Sequence, residues 1–165
     1  MKQPLIKKRT LITIIINQLE QALAQAINAA NEAHAAAVDD QSIAETQYDT
    51  LAIEASYLAE GQSRRVKELQ TSIHQYQGLT LLDFDEDKPV ALTALVQLSN
   101  DIPNQHWFFI GPTAGGMRCT ISDQTITVIT PQSPMGMALI GKYQEDEIDI
   151  KLGNKQLSDY LSQVI

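Results

Sequence analysis

The sequence predicts an α+β protein in which an N-terminal antiparallel coiled-coil hairpin precedes a small, mostly antiparallel sheet domain with one short helix. Three observations carry that reading. Residues 10–77 hold one glycine and no proline, whereas residues 78–165 hold the other glycines and every proline but Pro4. Apolar residues in the first half recur in steps of four and three, the period of a helix face. The second half alternates β-branched and polar residues between turn-forming dipeptides.

The hairpin follows from heptad spacing. Ile12, Ile16, Leu19, Leu23, Ala26, Ala30, Ala33 and Ala37 form one seam, and Tyr48, Ala52, Ala55, Ala59, Gln62, Val66, Leu69, Ile73 and Tyr76 form another. Between them, Val38–Gln47 is polar and reads as a turn, so residues 1–78 form an arm with its tip at about 38–47. At 1.5 Å rise per residue such an arm is roughly 40 Å long. Toward the tip both seams are alanine, with 30, 33 and 37 facing 52, 55 and 59, so the helices can approach closely. At the base Ile, Leu and Val bury more area and dominate stability.

An acidic linker, residues 79–89, carries Asp83, Asp85, Glu86 and Asp87 and leads to a sheet domain over 90–165. Strands are expected at 91–98, 106–111, 117–121, 125–130, 146–152 and 155–164, with turns at Gly115-Gly116 and Gly153-Asn154. Ser133 is placed to cap a short helix, Pro134 fits its first turn, and Gly141 fits the position just past its end.

Composition removes several function classes. The chain of 165 residues has 12 Lys+Arg against 20 Asp+Glu, a net charge of -8, which disfavours autonomous binding to duplex DNA. No apolar run is long enough to span a membrane, and Lys2–Ile16 lacks the cleavage site of a signal peptide, so a cytoplasmic protein is expected. The single Cys119 rules out an internal disulfide and a cysteine zinc site.

An autonomous active site finds little support. His34, His74 and His106 fall on separate elements without metal-ligand spacing. Gly111–Gly116 contains glycines but no following Lys-Ser/Thr, so it reads as a loop between strands. Cys119 in an alternating strand reads as a buried thiol. The arm offers more. Asp39, Asp40, Glu45 and Asp49 gather carboxylates at its tip, which are hard oxygen ligands suited to completing a partner's Mg²⁺ site, or simply a solvated loop. Arg64, Arg65 and Lys67 could face phosphates, or balance Glu60 and Glu68 on a wet helix.

The segment Ile126–Lys142 with Glu145–Ile150 resembles the C-terminal domain of the GreA/GreB transcript cleavage factors. That family runs from a strand through Ser-Pro into a short helix reading Ala-Leu-Ile/Leu-Gly-Lys, then through an acidic turn into a strand. Ser133, Pro134, Ala138, Leu139, Ile140, Gly141 and Lys142 match it. The resemblance implies an FKBP-like domain that grips the rim of the secondary channel of bacterial RNA polymerase through Gln132, Ser133 and Pro134. It implies a coiled coil that enters the channel, where Asp40 and Glu45 would assist the polymerase's Mg²⁺ and stimulate cleavage of backtracked RNA. Arg64, Arg65 and Lys67 would then lie along the channel near the nascent RNA. The protein would be an accessory factor with no metal of its own.

Two departures accompany the match. Taking Tyr48 as the family's tip tyrosine, the positions of its two tip acids hold Gln41 and Ala44, so Asp40 and Glu45 lie one residue outside. Five residues apart on a continuous helix, they would be turned about 140° from each other. Gln132 stands where Asp often precedes Ser-Pro. Alternatives are a channel-occupying regulator without cleavage activity, an adaptor coil that dimerises through its alanine seam, and a prolyl isomerase or chaperone-like module. The last would need an aromatic cage built from Trp107, Phe108, Phe109, Tyr143 and Tyr160.

Overall fold

The computed structural model describes residues 6–42 and 49–165, and within them the side chains of all but 38–42, 49–52 and 55. The chain divides into two compact units, one of Ile16–Gln77 and the other of Met1–Ile15 with Gly78–Ile165.

The first unit is helical, built from most of α1 (Lys8–Ser42) and from α2 (Asp49–Gln77). Nine of the heptad positions are buried, Leu23 and Val66 are partly buried, the side chains of Ala52 and Ala55 lie outside the described set, and Tyr48 lies outside the described residues. Leu19, Ala26, Ala30, Ala33 and Ala37 are buried on α1, and Ala59, Leu69, Ile73 and Tyr76 on α2. His34 Nε2 and Ser63 Oγ meet across the two helices at 3.4 Å, the antiparallel pairing a hairpin requires. The helix does not stop where the polar residues begin. It continues through Val38–Ser42, because that stretch holds neither glycine nor proline and an established helix propagates through polar residues at little cost. The expected tip therefore begins inside α1, and residues 43–48 lie outside the described residues.

The base of α1 departs from the expected register. Leu11 and Ile15 are fully buried, while Ile12 and Ile16 are only half-buried. A helix of 3.6 residues per turn drifts against a 3.5-residue repeat, and Leu11 and Ile15 belong to the sheet-bearing unit rather than to the coil.

The second unit holds six strands: β1 (Leu95–Leu98), β2 (His106–Ile110), β3 (Arg118–Ile121), β4 (Gln124–Ile129), β5 (Glu147–Leu152) and β6 (Lys155–Val164). Their order in the sheet is β3-β4-β2-β1-β6-β5. All pairings are antiparallel except β2 with β4, which is parallel, His106 lying opposite Thr125 and Ile110 opposite Ile129. β3 runs back outside β4, and this lets β4 re-enter alongside β2 in the same direction.

β1 is shorter than the sequence suggests. Residues 91–94 turn instead of extending, with Thr93 at φ 77. The turn is held from outside: Thr93 N–H donates to Ile110 O at 2.8 Å, and Leu82 N–H donates to Thr93 Oγ1 at 3.0 Å. What remains of β1 lies inside the sheet and is buried on both faces. Val96, Leu98, Ile110, Ile129, Ile148, Ile150, Leu161 and Leu139 form the core on one face. Alternation turns Leu95, Trp107, Phe109, Ile126 and Val128 to the other face, where they are also buried.

Two hairpins show how turn chemistry sets register. Gly153-Asn154 joins β5 to β6 with Gly153 at φ 64, and Leu152 pairs Lys155. Ser122-Asp123 joins β3 to β4 with both residues at positive φ, 48 and 64, the signature of a type I′ turn without glycine. Edge strand β5 turns Glu147, Asp149 and Lys151 outward, charges that discourage further strand pairing.

Candidate functional site

The segment leaving β4 is closed by a compact set of hydrogen bonds. Thr130 O accepts both the Ser133 N–H (3.1 Å) and the Ser133 hydroxyl (2.8 Å), so the Pro131-Gln132 loop closes on itself. Ser133 Oγ in turn accepts the Gly136 N–H at 3.0 Å, capping α3 (Pro134–Leu139). Pro134 begins the helix where its missing N–H has no cost. The helix ends as the sequence indicates, Gly141 taking φ 82 and donating to Val90 O at 2.8 Å.

One side of α3 anchors it and the other is free. Leu139 is fully buried in the core, and Gly136 is buried against Thr130. Met137, Ile140 and Tyr143 are exposed, Met137 to 65%. Gln132 and Pro134 are exposed beside them in sequence, while Ser133 is half-buried by its capping role. Gln132, Ser133 and Pro134 are thus brought together on one rigid loop. Met137, which sequence reasoning did not single out, and Tyr143, which it named only for an aromatic cage, add exposed apolar surface to the segment that follows that loop. The helical period would have pointed to Met137, since it lies off the face that buries Leu139.

On the arm, Arg64 and Arg65 are exposed and paired along α2, Arg64 with Glu60 at 3.8 Å and Arg65 with Glu68 at 3.6 Å. Exposed helical pairs of this kind contribute about 0.3–0.5 kcal/mol each, and they leave both guanidinium groups open to an external anion. Lys67 is exposed on the same helix. Asp40 lies in the last part of α1, its side chain outside the described set, and Glu45 lies outside the described residues. Among the described residues, no cluster of three or more His, Cys, Asp or Glu could hold a metal ion, and no helix is long and apolar enough to cross a membrane.

A polar network on the sheet went unread in the sequence. His106 Nε2 meets Thr127 Oγ1 at 2.8 Å, and its Nδ1 lies 3.8 Å from Asp101 Oδ1. Ser99 Oγ donates to Asp159, whose other oxygen accepts the Asn100 N–H at 3.2 Å. Burial pushes the Asp101 carboxyl above its usual range, against the pull of His106 and with the push of Asp159. Thr127 sits mid-strand between Phe108 and Arg118, and the ladders on either side occupy the backbone N–H groups that an oxyanion would need. The network therefore ties the Ser99–Asp101 turn to the sheet. Cys119 is buried and its thiol is pushed up by that burial, which keeps it inert.

The aromatics do not converge. Alternation sends Trp107 and Phe109 to one face and Phe108 to the other, and Trp107 Nε1 is held by Gln124 Oε1 at 2.7 Å. Tyr143 and Tyr160 are exposed.

No protein-family model and no curated protein matches the chain. Among solved structures, similar chains are a transcription factor Gfh1 (16% identity, 90% of this chain and 92% of that one, TM-score 0.36) and the GreA factor homolog 1 (Gfh1) of Thermus thermophilus (13%, 91% and 94%, TM-score 0.35). The Gfh1 of Thermus aquaticus is similar at 16% identity, over 90% of this chain and 92% of that one, with TM-score 0.33.

Proposed function

We propose that the protein is a Gre-type transcription elongation factor that binds bacterial RNA polymerase in the cytoplasm and inserts its helical hairpin into the secondary channel. The observation that carries the reading is the Ser133-capped helix between β4 and β5, with Pro134 at its start and left-handed Gly141 at its end. It is the local arrangement that the Ala138–Lys142 resemblance implies, and it follows a heptad hairpin in the same chain. The loop Gln132–Pro134 and the exposed Met137 and Tyr143 offer a rigid, partly apolar surface suited to gripping a protein rim. The separation of Trp107 and Phe109 from Phe108 disfavours the isomerase reading, which needs those rings around one substrate.

Once in the channel, the hairpin would rescue or modulate stalled complexes. Asp40 and Glu45 would lend carboxylate oxygens to the polymerase's own Mg²⁺, and Arg64, Arg65 and Lys67 would lie against RNA phosphates. The factor itself would catalyse nothing. The test is release of short 3′ RNA fragments from a defined backtracked complex, with the protein added or omitted. Faster release, lost on Asp40→Ala with Glu45→Ala while polymerase binding persists, supports cleavage stimulation. Binding without acceleration identifies a channel-occupying regulator, and absence of binding sinks the proposal. Ser133→Glu should weaken binding in the same assay.

A further inference from the structure

We propose that Lys8 is a site of selective N-acylation by small acyl phosphates. Three cations stand in succession, Lys7 just before α1 and Lys8 and Arg9 at its start, and successive helical side chains point about 100° apart. They therefore meet different surroundings. Lys7 and Arg9 are exposed, whereas Lys8 is turned in: its Nζ donates to Leu82 O at 2.6 Å and stands 4.7 Å from the centre of the Phe84 ring. All three line one cavity of about 620 Å³, whose apolar walls are Ile6, Leu81, Phe84 and Ile165. Asp83 lines it as well.

An ammonium group in that position has lost part of its hydration. Burial lowers the Lys8 pKa to about 8, against the opposing pull of Asp83. Near pH 8 about half of Lys8 is then the free amine, compared with well under one part in a hundred for an ordinary lysine near 10.4. An amine poised at ambient pH inside an open cavity is the arrangement that activates a lysine nucleophile.

The cavity also selects among electrophiles. Lys7 and Arg9 at its edge favour a donor with an anionic leaving group, and its volume admits a small one. The Nζ lone pair attacks the acyl carbon, forming the C–N bond. The C–O bond to phosphate breaks and phosphate departs with that electron pair beside Lys7 and Arg9. The extra proton on nitrogen passes to Asp83 or to water. The product is a neutral amide whose remaining N–H can still serve Leu82 O, while the cation over Phe84 is lost.

The test uses the full chain with acetyl phosphate at about pH 8 and reads the occupancy of each lysine by peptide mass spectrometry. Lys8 should lead the exposed Lys67, Lys151 and Lys155 by roughly fivefold or more, its rate levelling off above about pH 8.5. Lys7→Gln with Arg9→Gln, both at exposed positions, should slow acylation of Lys8 by acetyl phosphate but not by neutral phenyl acetate. Even occupancy across the lysines, or a Lys8 rate still climbing tenfold per pH unit through pH ~10, overturns the proposal. Equal slowing with both donors in the double variant overturns the assigned role of phosphate.

Discussion

A β-carbon on Gly136 would stand far inside van der Waals contact of the Thr130 carbonyl oxygen, with the Thr130 carbonyl carbon and Ser133 Oγ as its next neighbours. The obstacle is backbone, and that backbone is held by two hydrogen bonds from Ser133. Gly136→Ala must therefore move α3 away from the loop or strain both. We expect a loss of about 2 kcal/mol or more, measured by denaturant unfolding.

Ser133 connects the loop to the helix, since its hydroxyl both donates to Thr130 and accepts from Gly136. Ser133→Ala should cost about 1 kcal/mol in the same unfolding measurement. Ser133→Asp keeps a cap acceptor and loses the donor to Thr130, so it should fall between the two. If alanine were as stable as wild type, the cap would not be holding the loop.

Two glycines with open space around them should respond in opposite directions to alanine. Gly141 sits at φ 82 and Gly61 lies within α2, and a β-carbon at either meets nothing within 4 Å. Gly141→Ala should destabilise by about 1 kcal/mol through backbone strain alone. Gly61→Ala should stabilise by about 0.5–1 kcal/mol, because alanine loses less backbone freedom in a helix. Thermal unfolding of the two variants side by side is the check.

Stability should depend on pH through Lys8 with a definite sign. Its folded pKa, about 8, lies below the unfolded value of 10.5, so between those values the unfolded chain binds more protons. Stability then rises with pH across that window, and below it the cost of burying the ammonium is fully present. Lys8→Met should remove that rise, seen as the difference between the two unfolding curves from about pH 7.5 to 10.5. Asp101 has the reverse sense. Its folded pKa is raised, so its protonated form is favoured in the folded state and the associated stability is lost as pH climbs through the raised value.

Much of this molecule is determined by short-range chemistry and is therefore legible in one sequence. The alanine seam from Ala26 to Ala37 follows from heptad spacing, and the limits of α3 follow from a Ser-Pro start and a glycine stop. The Gly153-Asn154 hairpin follows from a residue free to take positive φ. Each signal acts within a few residues, where capping and backbone sterics outweigh tertiary context. Tertiary structure decided the rest. Leu11 and Ile15 replaced Ile12 and Ile16 as the buried pair because the base of α1 belongs to the sheet-bearing unit. Thr93 broke the first strand because Ile110 and Leu82, distant in the chain, hydrogen-bond it into a turn. The parallel pairing of β2 with β4 and the inward course of Lys8 toward Leu82 and Phe84 likewise depend on long-range partners. Local periodicity carries no record of such partners, since they meet only after the chain has folded.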